Sequence, residues 1–438
     1  MRNVIKSSKM VRVDRNNKSY GSYGYRTPSQ SVESMLESCF NCRSVAHFSL
    51  LTSIMVLHCC STAVSLEGVV QSHKNVANND HFGISGVEVL IMMFGEPELI
   101  SLPNPRTLVI LGDTLCDIIA VNVQLIESWG TDTLAEEIRV IAGGSALNIA
   151  IHGANFSAQL DKQVDIRFLS CTGVDLQGQI CRDALRHPNL DSSKISVNRN
   201  YRTGTCIVIS GAEDRSFITD RGCVRDLSVS WFKEEDFFSS FVSHIHVGGF
   251  YNCDKLKSEV SELFQKARAL NKTTSLNPQH DAEGKWEGIK ELCPYLTIFI
   301  GNEAELEKVS KVSDGCSILA QAKVLLDWGC SIVVVTRGSK GADAYRKNGC
   351  TSRDAMNYGA VEFLTQAAVT VVATDTTGAG DAFAGGFLVE WISTSDLSSS
   401  LRAGCIVGGA AVTQIGGSTF CSSALQQNQE RYSSESLG

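Results

Sequence analysis

The chain has 438 residues, enough for two or three domains, and its 43% hydrophobic and 20% charged content is ordinary for a globular protein. Its formal net charge is −8 and no basic stripe runs along its body, so nucleic acid and anionic membranes are not expected partners. Most of the sixteen cysteines are scattered singly through apolar segments, which is typical of buried thiols rather than of a disulfide framework.

Residues 1–104 differ in composition from the rest of the chain. The first 32 residues carry seven lysines and arginines and a single acid among many serines, tyrosines and glycines. A mostly apolar run at 48–57 is ten residues long, too short to span a bilayer. We therefore expect a disordered or targeting extension without a stable membrane span, a wrong gene start being a further alternative. The expected location is the cytoplasm, or an organelle if the extension is a targeting peptide.

Beyond this extension, strand patterns alternate with helix patterns. The strand patterns lie at 107–113, 164–170, 243–249, 274–277, 296–301 and 331–336. Helical spacing of apolar residues is found at 145–160, where Ser145 can cap the helix, and at 255–270 and 318–328. Strands separated by helices predict an α/β fold, a doubly wound and mainly parallel sheet with helices on both faces. Ligands of such folds bind at the carboxyl ends of the strands.

One segment, 203–221, departs from this alternation and is interpreted as a β hairpin. It contains β-branched runs at 205–210 and 216–219 on either side of a polar turn. Arg215 and Arg221 flank the second run, and either could bind an anionic group on a substrate. A surface position is the simpler interpretation for each arginine taken alone.

Residues 375–381, which we call the anion loop, read Asp-Thr-Thr-Gly-Ala-Gly-Asp and precede an apolar helix pattern. Gly378, Ala379 and Gly380 leave backbone amides unshielded at the helix N-terminus, where unpaired donors and the helix dipole favour an anion. Asp381 lies in the first turn. This combination suits phosphoryl transfer, because the amides can hold the moving group while the carboxylate takes a proton from the attacking hydroxyl.

Two better-known glycine motifs do not match the anion loop. Phe383 stands where the third glycine of Gly-x-Gly-x-x-Gly is required, and the chain contains no Gly-Lys-Ser or Gly-Lys-Thr tripeptide. The alternative for the loop is a plain glycine-rich turn before a buried helix. The alternative for Asp381 is an acid that only stabilises the helix dipole.

Several motifs, in their order along the chain, resemble the ribokinase-like (PfkB) family of carbohydrate kinases. They are Gly143-Gly144 followed by Asn148, the turn Gly173-Val174-Asp175, the pair Asn302 and Glu305, the stretch from Thr336 to Gly341, and the anion loop. The resemblance covers about 106–417 and implies a ribokinase-like domain at 105–425, followed by a flexible tail at 426–438. In this family, strands such as those near 117–142 and 201–221 form a small β lid over the sugar and often a homodimer contact.

The resemblance also implies which residues bind the substrate. Asp117 would grip the sugar, since a carboxylate can accept from two vicinal hydroxyls. Gly143 and Gly144 would form the sugar loop, and Asn148 would offer a donor and an acceptor. Leu115 stands where ribokinase itself has a polar asparagine, so the resemblance does not specify ribose.

ATP and Mg²⁺ are the cofactors that the resemblance implies. Asn302, Thr336, Gly338 and Gly341 are expected along the nucleotide. Glu305 is expected to act on Mg²⁺ through its water shell, because Mg²⁺ keeps several waters and takes few protein ligands.

A monovalent cation such as K⁺ is a further cofactor that the family could require here. The resemblance implies Asp375 as a contributor to that site, together with backbone carbonyls near Ala411, Gln414 and Gly416. Phe420 stands where ribokinase places a serine of this site.

The sequence therefore predicts ATP-dependent phosphorylation of a hydroxyl on a sugar or sugar-like substrate, with Asp381 as general base. A nucleoside kinase of the same fold, for example one for adenosine, is the alternative enzyme. It would need an aromatic base pocket, for which the lid offers Tyr201 and Phe217. A catalytically inactive regulatory homologue is the third alternative, against which the intact Gly378, Gly380 and Asp381 argue.

Overall fold

A computed structural model describes residues 106–435, except 124–129, 131, 212–214, 313–314, 348–355 and 359–360. The expectations for residues 1–104 lie outside the described residues. Within the described part, no helix combines the length and the apolar character that crossing a membrane requires. The described cysteines are all free thiols, and most of them are buried.

The structure contains two sets of elements, strands and helices, which alternate along much of the chain. The strands are β1 (Arg106–Gly112), β2 (Leu115–Val121), β3 (Glu137–Gly143), β4 (Val164–Leu169), β5 (Cys171–Thr172), β6 (Leu190–Asp191), β7 (Ser196–Val197), β8 (Gly204–Ser210), β9 (Arg215–Asp220), β10 (Val242–Gly248), β11 (Thr273–Leu276), β12 (Ile298–Asn302), β13 (Ile332–Thr336), β14 (Ala342–Lys347), β15 (Met356–Tyr358) and β16 (Val361–Gln366). The helices are α1 (Ser145–Gln159), α2 (Leu176–Ala184), α3 (Glu234–Phe238), α4 (Asp254–Ala269), α5 (Ile289–Leu292), α6 (Glu303–Ser310), α7 (Ile318–Asp327), α8 (Ala379–Thr394), α9 (Leu397–Ala411) and α10 (Ser422–Glu435).

The main sheet has the strand order β15-β16-β14-β13-β12-β11-β10-β1-β4-β6 in the described residues. Strands from β13 to β6 are parallel, and β14, β16 and β15 add an antiparallel edge. Along β1, Leu108 and Ile110 belong to one buried cluster with α1, α8 and α9, whereas Val109 and Leu111 belong to another with α4 and α7. Each such side chain contributes about 1.5–3 kcal/mol when buried. The predicted doubly wound, mainly parallel fold is confirmed.

Close helix packing fixes the position of the anion loop. Gly385 lies where α8 crosses α1, and a Cβ there would come within 2.9 Å of Gly153 N and Ile149 O. Gly386 faces α9, where a Cβ would lie 2.6 Å from Val407 Cγ2. Since neither glycine carries a side chain, α8 sits unusually close to both neighbours. The loop that precedes α8 is thereby held over the carboxyl ends of the strands.

A separate four-stranded sheet, which we call the lid, has the order β3-β2-β8-β9. It confirms the predicted hairpin as β8 and β9, and the strands expected near 117–142 as β2 and β3. Asp117 is opposite Cys206, and Cys206 is opposite Thr219, so these residues share one face, which we call the inner face. Ile118 and Ile207 are opposite each other on the other, outer face.

The chain's C-terminal part differs from the expectation. The sequence predicts a flexible tail at 426–438, but α10 continues to Glu435. Leu425 is fully buried, and Asn428 is 2% exposed and donates to Ile406 O at 3.1 Å. The apolar stripe of this helix is too narrow to give a clear periodic signal, and a hydrogen bond from a polar side chain supplies part of its anchoring.

Candidate active site

Asp381 lies in the first turn of α8 with only 6% of its surface exposed. Its Oδ1 accepts hydrogen bonds from Ser145 Oγ at 2.7 Å and from Gln279 Nε2 at 2.9 Å. Its Oδ2 accepts from Asn148 Nδ2 at 2.9 Å. Three donors from two parts of the chain, α1 and the segment after β11, therefore fix the orientation of this carboxylate.

Burial raises the pKa of Asp381 from 3.8 to about 7. The hydrogen bonds from Asn148 and Ser145 lower the pKa, while the nearby charges of Asp113 and Glu305 raise it further. A carboxylate with a pKa near neutrality can accept a proton and release it again at physiological pH. This ionisation behaviour fits the general base that the sequence predicts.

The glycines of the anion loop differ in what they require. Gly378 has a φ of 72°, and a Cβ on it would lie 2.5 Å from Gly417 Cα, so only glycine fits without strain. At Gly380 a Cβ would meet nothing within 4 Å. The amide of Ala379 donates to Thr376 O over 3.3 Å, so the loop's own turn already uses part of its capacity.

A cavity of about 140 Å³ lies between the anion loop and the ends of β12 and β13. It is lined by Asn277, Gln279, Ile300, Gly301, Asn302, Glu305, Thr336, Gly378, Gly380 and Asp381. The structure thus brings the predicted base and two of the loop glycines together with three residues predicted for the nucleotide and Mg²⁺. Asn277 Oδ1 is buried without a hydrogen-bond partner among the described residues, which leaves an acceptor for a donor on a ligand.

The predicted sugar-binding residues lie where the lid meets α1. Asp117 is 6% exposed, and a Cβ on Gly143 would lie 2.1 Å from its Oδ2. Gly144 has a φ of 96° and leads directly into α1. Burial, followed by the charges of Asp113, Asp381 and Asp375, raises the pKa of Asp117 to about 7. Removing its charge from water would require good hydrogen bonds, which substrate hydroxyls can supply.

Asn148 contributes less freely to the substrate than the sequence predicts. Its amide nitrogen is engaged with Asp381, whereas its Oδ1 is buried and has no partner among the described residues. A substrate hydroxyl can therefore donate to Asn148 without displacing the bond that orients the base.

Asn302 and Glu305 form a reciprocal cap at the start of α6. Asn302 Oδ1 accepts from Glu305 N at 2.8 Å, and Glu305 Oε2 accepts from Asn302 N at 3.0 Å. Burial raises the pKa of Glu305, and its carboxylate lines the same cavity as Asp381. The described residues contain no cluster of three or more metal-ligating side chains. The carboxylate of Glu305 on the cavity wall fits a Mg²⁺ ion that is held mainly by phosphates and water.

Gly338 and Gly341 are not among the residues that line the cavity. A Cβ on Gly341, whose φ is 95°, would lie 1.9 Å from Gln366 O, so the contact between the β13–β14 turn and β16 explains this glycine. At Gly338, a Cβ would meet nothing within 4 Å. Their contact with the nucleotide stays a prediction.

Asp375 has a partner that the sequence did not predict for it. Arg215, on lid strand β9, donates from Nη1 to Asp375 Oδ1 at 2.9 Å. Arg215 also donates to both threonines of the anion loop, with Nη2 2.6 Å from Thr376 Oγ1. The lid and the anion loop are therefore joined by a side chain that no local pattern connects.

Three other site residues escaped the sequence interpretation. The sequence predicts Ser145 as a helix cap, but the N-cap of α1 is Gly144, and the Ser145 hydroxyl donates to the base instead. Gln279, with a left-handed φ of 61°, directs its amide to the same oxygen. Asp113 accepts from Ala146 N and Asn252 Nδ2, both at 2.8 Å, and so fixes the start of α1. The sequence signal that could have identified Asp113 and Gln279 is that polar residues follow β1 and β11, since the carboxyl ends of such strands form ligand sites.

The sequence profile of pfkB family carbohydrate kinases matches residues 105–424, most of the chain. The chain therefore belongs to the pfkB family of carbohydrate kinases, as its motifs predicted. Among curated relatives, it is 28% identical over 297 residues to adenosine kinase from Schizophyllum commune, covering 64% of this chain and 81% of that protein. It is 24% identical over 314 residues to ribokinase from Haemophilus influenzae, covering 71% of this chain and 94% of that protein.

The fold agrees with solved structures of ribokinases. One example is the crystal structure of a candidate ribokinase II from E. coli in complex with ATP and Mg²⁺, with a TM-score of 0.61 and 20% identity. The match covers 74% of this chain and 99% of that one. The fold is thus ribokinase-like, and membership of this family makes the protein a kinase.

Proposed function

We propose that this protein transfers the γ-phosphoryl group of ATP to a hydroxyl of a sugar or sugar-like substrate. The observation that carries the proposal is Asp381, a buried carboxylate with a pKa near neutrality in the first turn of α8. It faces the same cavity as Gly378 and Gly380. A base beside a helix N-terminus is the arrangement that proton removal and phosphoryl stabilisation both need.

Each of the chain's residues then has one task. Asp117 accepts from substrate hydroxyls, and Asn148 Oδ1 accepts from another. Asp381 takes the proton of the attacking hydroxyl, while the amides of Gly378 and Gly380 stabilise the moving phosphoryl group. Glu305 would hold a Mg²⁺ ion through its water shell, and the ion would neutralise phosphate charge. Four carboxyl groups surround the site, those of Asp113, Asp117 and Asp381 buried and that of Glu305 half-buried, so the positive charge of a bound metal would also offset their mutual repulsion.

A nucleoside substrate is the second candidate, favoured by Phe217. This residue is opposite Val208 on β9 and β8, so it shares the inner face of the lid with Arg215, yet 56% of its surface is exposed. An exposed aromatic ring there can cover an apolar group attached to the sugar, such as a base. The similarity to an adenosine kinase is in line with this candidate.

The experiment is ATP turnover with a panel of free sugars and nucleosides, with product identified by mass spectrometry. A sugar kinase phosphorylates members of the first group, and Phe217→Ala leaves its kcat/KM nearly unchanged. A nucleoside kinase phosphorylates members of the second group, and Phe217→Ala lowers kcat/KM about 5- to 100-fold through loss of stacking. Absence of any phosphorylated product over the whole panel would contradict both candidates.

A homodimer through the lid is part of the same proposal. The outer face carries a row of apolar residues, one on each strand, at Val140, Ile118, Ile207 and Ile218. Val140, Ile207 and Ile218 are 48%, 40% and 59% exposed, a patch that a second copy of the chain would cover. Ile207→Asp should convert a dimer to a monomer in sedimentation velocity, whereas a monomeric wild type would contradict the contact.

A further inference from the structure

Arg215 joins the lid to the anion loop by contacts that neither element could make alone. Its Nη1 is 2.9 Å from Asp375 Oδ1, and its Nη2 is 2.6 Å from Thr376 Oγ1. It also donates to Thr377 Oγ1. The side chains of Arg215 and Asp375 are 23% and 11% exposed, so the pair is largely shielded from water, where charge interactions are stronger than at an open surface.

Asp375 is held from the other side by the backbone. Its Oδ1 accepts from Thr377 N and its Oδ2 from Gly416 N, both at 2.9 Å. Burial opposes ionisation of Asp375, but the hydrogen bonds from Thr377 and Gly416 and the charge of Arg215 outweigh it and lower the pKa. The carboxylate is therefore ionised, and the arginine neutralises it.

The residues around Asp375 do not fit the K⁺ ion that the family resemblance implies. The carbonyl oxygen of Ala411 accepts from Gln414 N at 3.0 Å, and that of Gly416 accepts from Thr419 N at 3.2 Å. The Arg215 guanidinium already contacts the carboxylate that would face the ion. Two positive charges on one carboxylate repel each other. These contacts are the structural argument against the predicted K⁺ at Asp375.

We propose that Arg215 is a positioning residue that supplies, from the lid, the positive charge that orders the anion loop, so that phosphoryl transfer needs no monovalent cation. Its contacts with Thr376 and Thr377 end immediately before Gly378, the residue whose φ of 72° turns the chain into α8. Fixing these two residues fixes the amides that follow. Because Arg215 belongs to the lid, the lid aligns those amides in the same arrangement in which it covers the substrate. This inference rests on the proposed function.

The kinetic test compares wild type, Arg215→Ala, Arg215→Lys and Arg202→Ala in choline, sodium and potassium chloride at about 0.1 M, where screening is equal. Wild-type kcat should be the same in all three salts. Arg215→Ala should lower kcat about 10- to 100-fold, with KM for ATP little changed, and ethylguanidinium or K⁺ should restore part of it. Arg215→Lys should lose less, since it keeps the charge but not the planar fork.

Arg202→Ala is the matched control, because Arg202 lies beside the lid strands and pairs with Asp220 at 3.1 Å while 82% exposed. Its kcat should stay at the wild-type value in every salt. Wild-type activity several-fold higher in K⁺ would overturn the inference, as would wild-type kcat in Arg215→Ala. A loss of kcat in Arg215→Ala that no cation relieves would assign Arg215 a structural role, and a large rise in KM for ATP would assign it a phosphate-binding role. Either result would overturn the inference.

Hydrogen exchange of the full chain supplies a readout that does not depend on turnover. Amides of residues 376–380 should exchange about tenfold faster or more in Arg215→Ala than in wild type, and ethylguanidinium should restore protection. Equal exchange in the two proteins would overturn the inference even in an active kinase. If protection depends on Arg215 but no substrate is phosphorylated, the proposed function fails while the positioning role of Arg215 stands.

Discussion

Asn148 donates its side-chain amide to Oδ2 of Asp381 over 2.9 Å, from the first turn of α1 to the first turn of α8. A residue predicted to bind the substrate is thus also one that sets the ionisation of the predicted base. Its free Oδ1 faces no partner among the described residues. Substrate binding and base orientation are therefore coupled through one amide group.

The pH profile of kcat/KM should reveal this coupling. The proposed reaction uses the ionised carboxylate, so the rate should fall as pH drops through the pKa of Asp381, which burial raises to about 7. The bond from Asn148 lowers this pKa, so Asn148→Ala should move the acid limb to higher pH. Glu305→Gln removes a charge that raises the pKa and should move the limb to lower pH. Shifts in the same direction for both variants would contradict the assignment.

Asp117→Asn should weaken substrate binding while leaving nucleotide binding unchanged. Loss of a charged hydrogen-bond acceptor should raise KM for the sugar or nucleoside about 10- to 100-fold, with KM for ATP within a few-fold. A contact present in both the ground state and the transition state acts mainly on KM. Weaker ATP binding with unchanged substrate binding would contradict the proposal that Asp117 binds the substrate.

The same variant should be more stable than wild type above neutral pH. The folded-state pKa of Asp117 is about 7 against an ordinary value of 3.8, so the folded protein binds this proton more tightly than the unfolded chain does. The free energy of unfolding contributed by this group is therefore fully present below pH 3.8 and is lost as pH rises through about 7. Asp117→Asn has no charge to bury, so it avoids this loss of unfolding free energy. The Tm of the variant should therefore exceed that of wild type at alkaline pH, and the difference should vanish in acid.

Alanine at the two loop glycines should separate stability from catalysis. At Gly378 the φ of 72° and the contact with Gly417 make alanine strained, so Gly378→Ala should lower Tm as well as kcat. At Gly380 the new Cβ meets no protein atom within 4 Å but lies on the cavity wall. Gly380→Ala should keep or raise Tm and still lower kcat. Wild-type kcat in Gly380→Ala would contradict the proposal that the Gly380 amide stabilises the phosphoryl group.

Local patterns predicted the elements whose sequence carries helical spacing or β-branched runs. The helix expected at 145–160 is α1, and the hairpin runs at 205–210 and 216–219 are β8 and β9. The antiparallel edge of β14, β15 and β16 was not predicted. Its strands are partly polar, and they owe their pairing to the rest of the sheet.

The site was predictable only where one segment carries the whole signal. The anion loop holds its glycines and its carboxylate within seven residues, so its chemistry is visible in sequence. Gln279 and Arg215 lie 102 and 160 residues from their partners Asp381 and Asp375, and only folding brings them together. Tertiary contacts at such separations leave no periodic pattern for local propensities to detect.

The extension at 1–104 should be dispensable for fold and catalysis. The family match begins at 105 and β1 begins at Arg106, directly after Pro103 and Pro105. A truncated chain that starts at Pro103 should be soluble and should keep the kcat and Tm of the full chain. Aggregation, or a Tm several degrees lower, would show that part of the extension, such as the apolar run at 87–94, belongs to the core.

The most direct test of the account is kcat for Asp381→Asn, with nucleotide affinity measured on the same protein. Loss of a positioned general base should lower kcat roughly 10²- to 10⁴-fold, while the dissociation constant for ATP changes little. Glu390→Gln is the control, because Glu390 is also a buried acid of α8, paired with Lys162 at 2.7 Å. The control should lose stability but keep kcat. Near-wild-type kcat in Asp381→Asn would contradict the central claim that this carboxylate is the catalytic base.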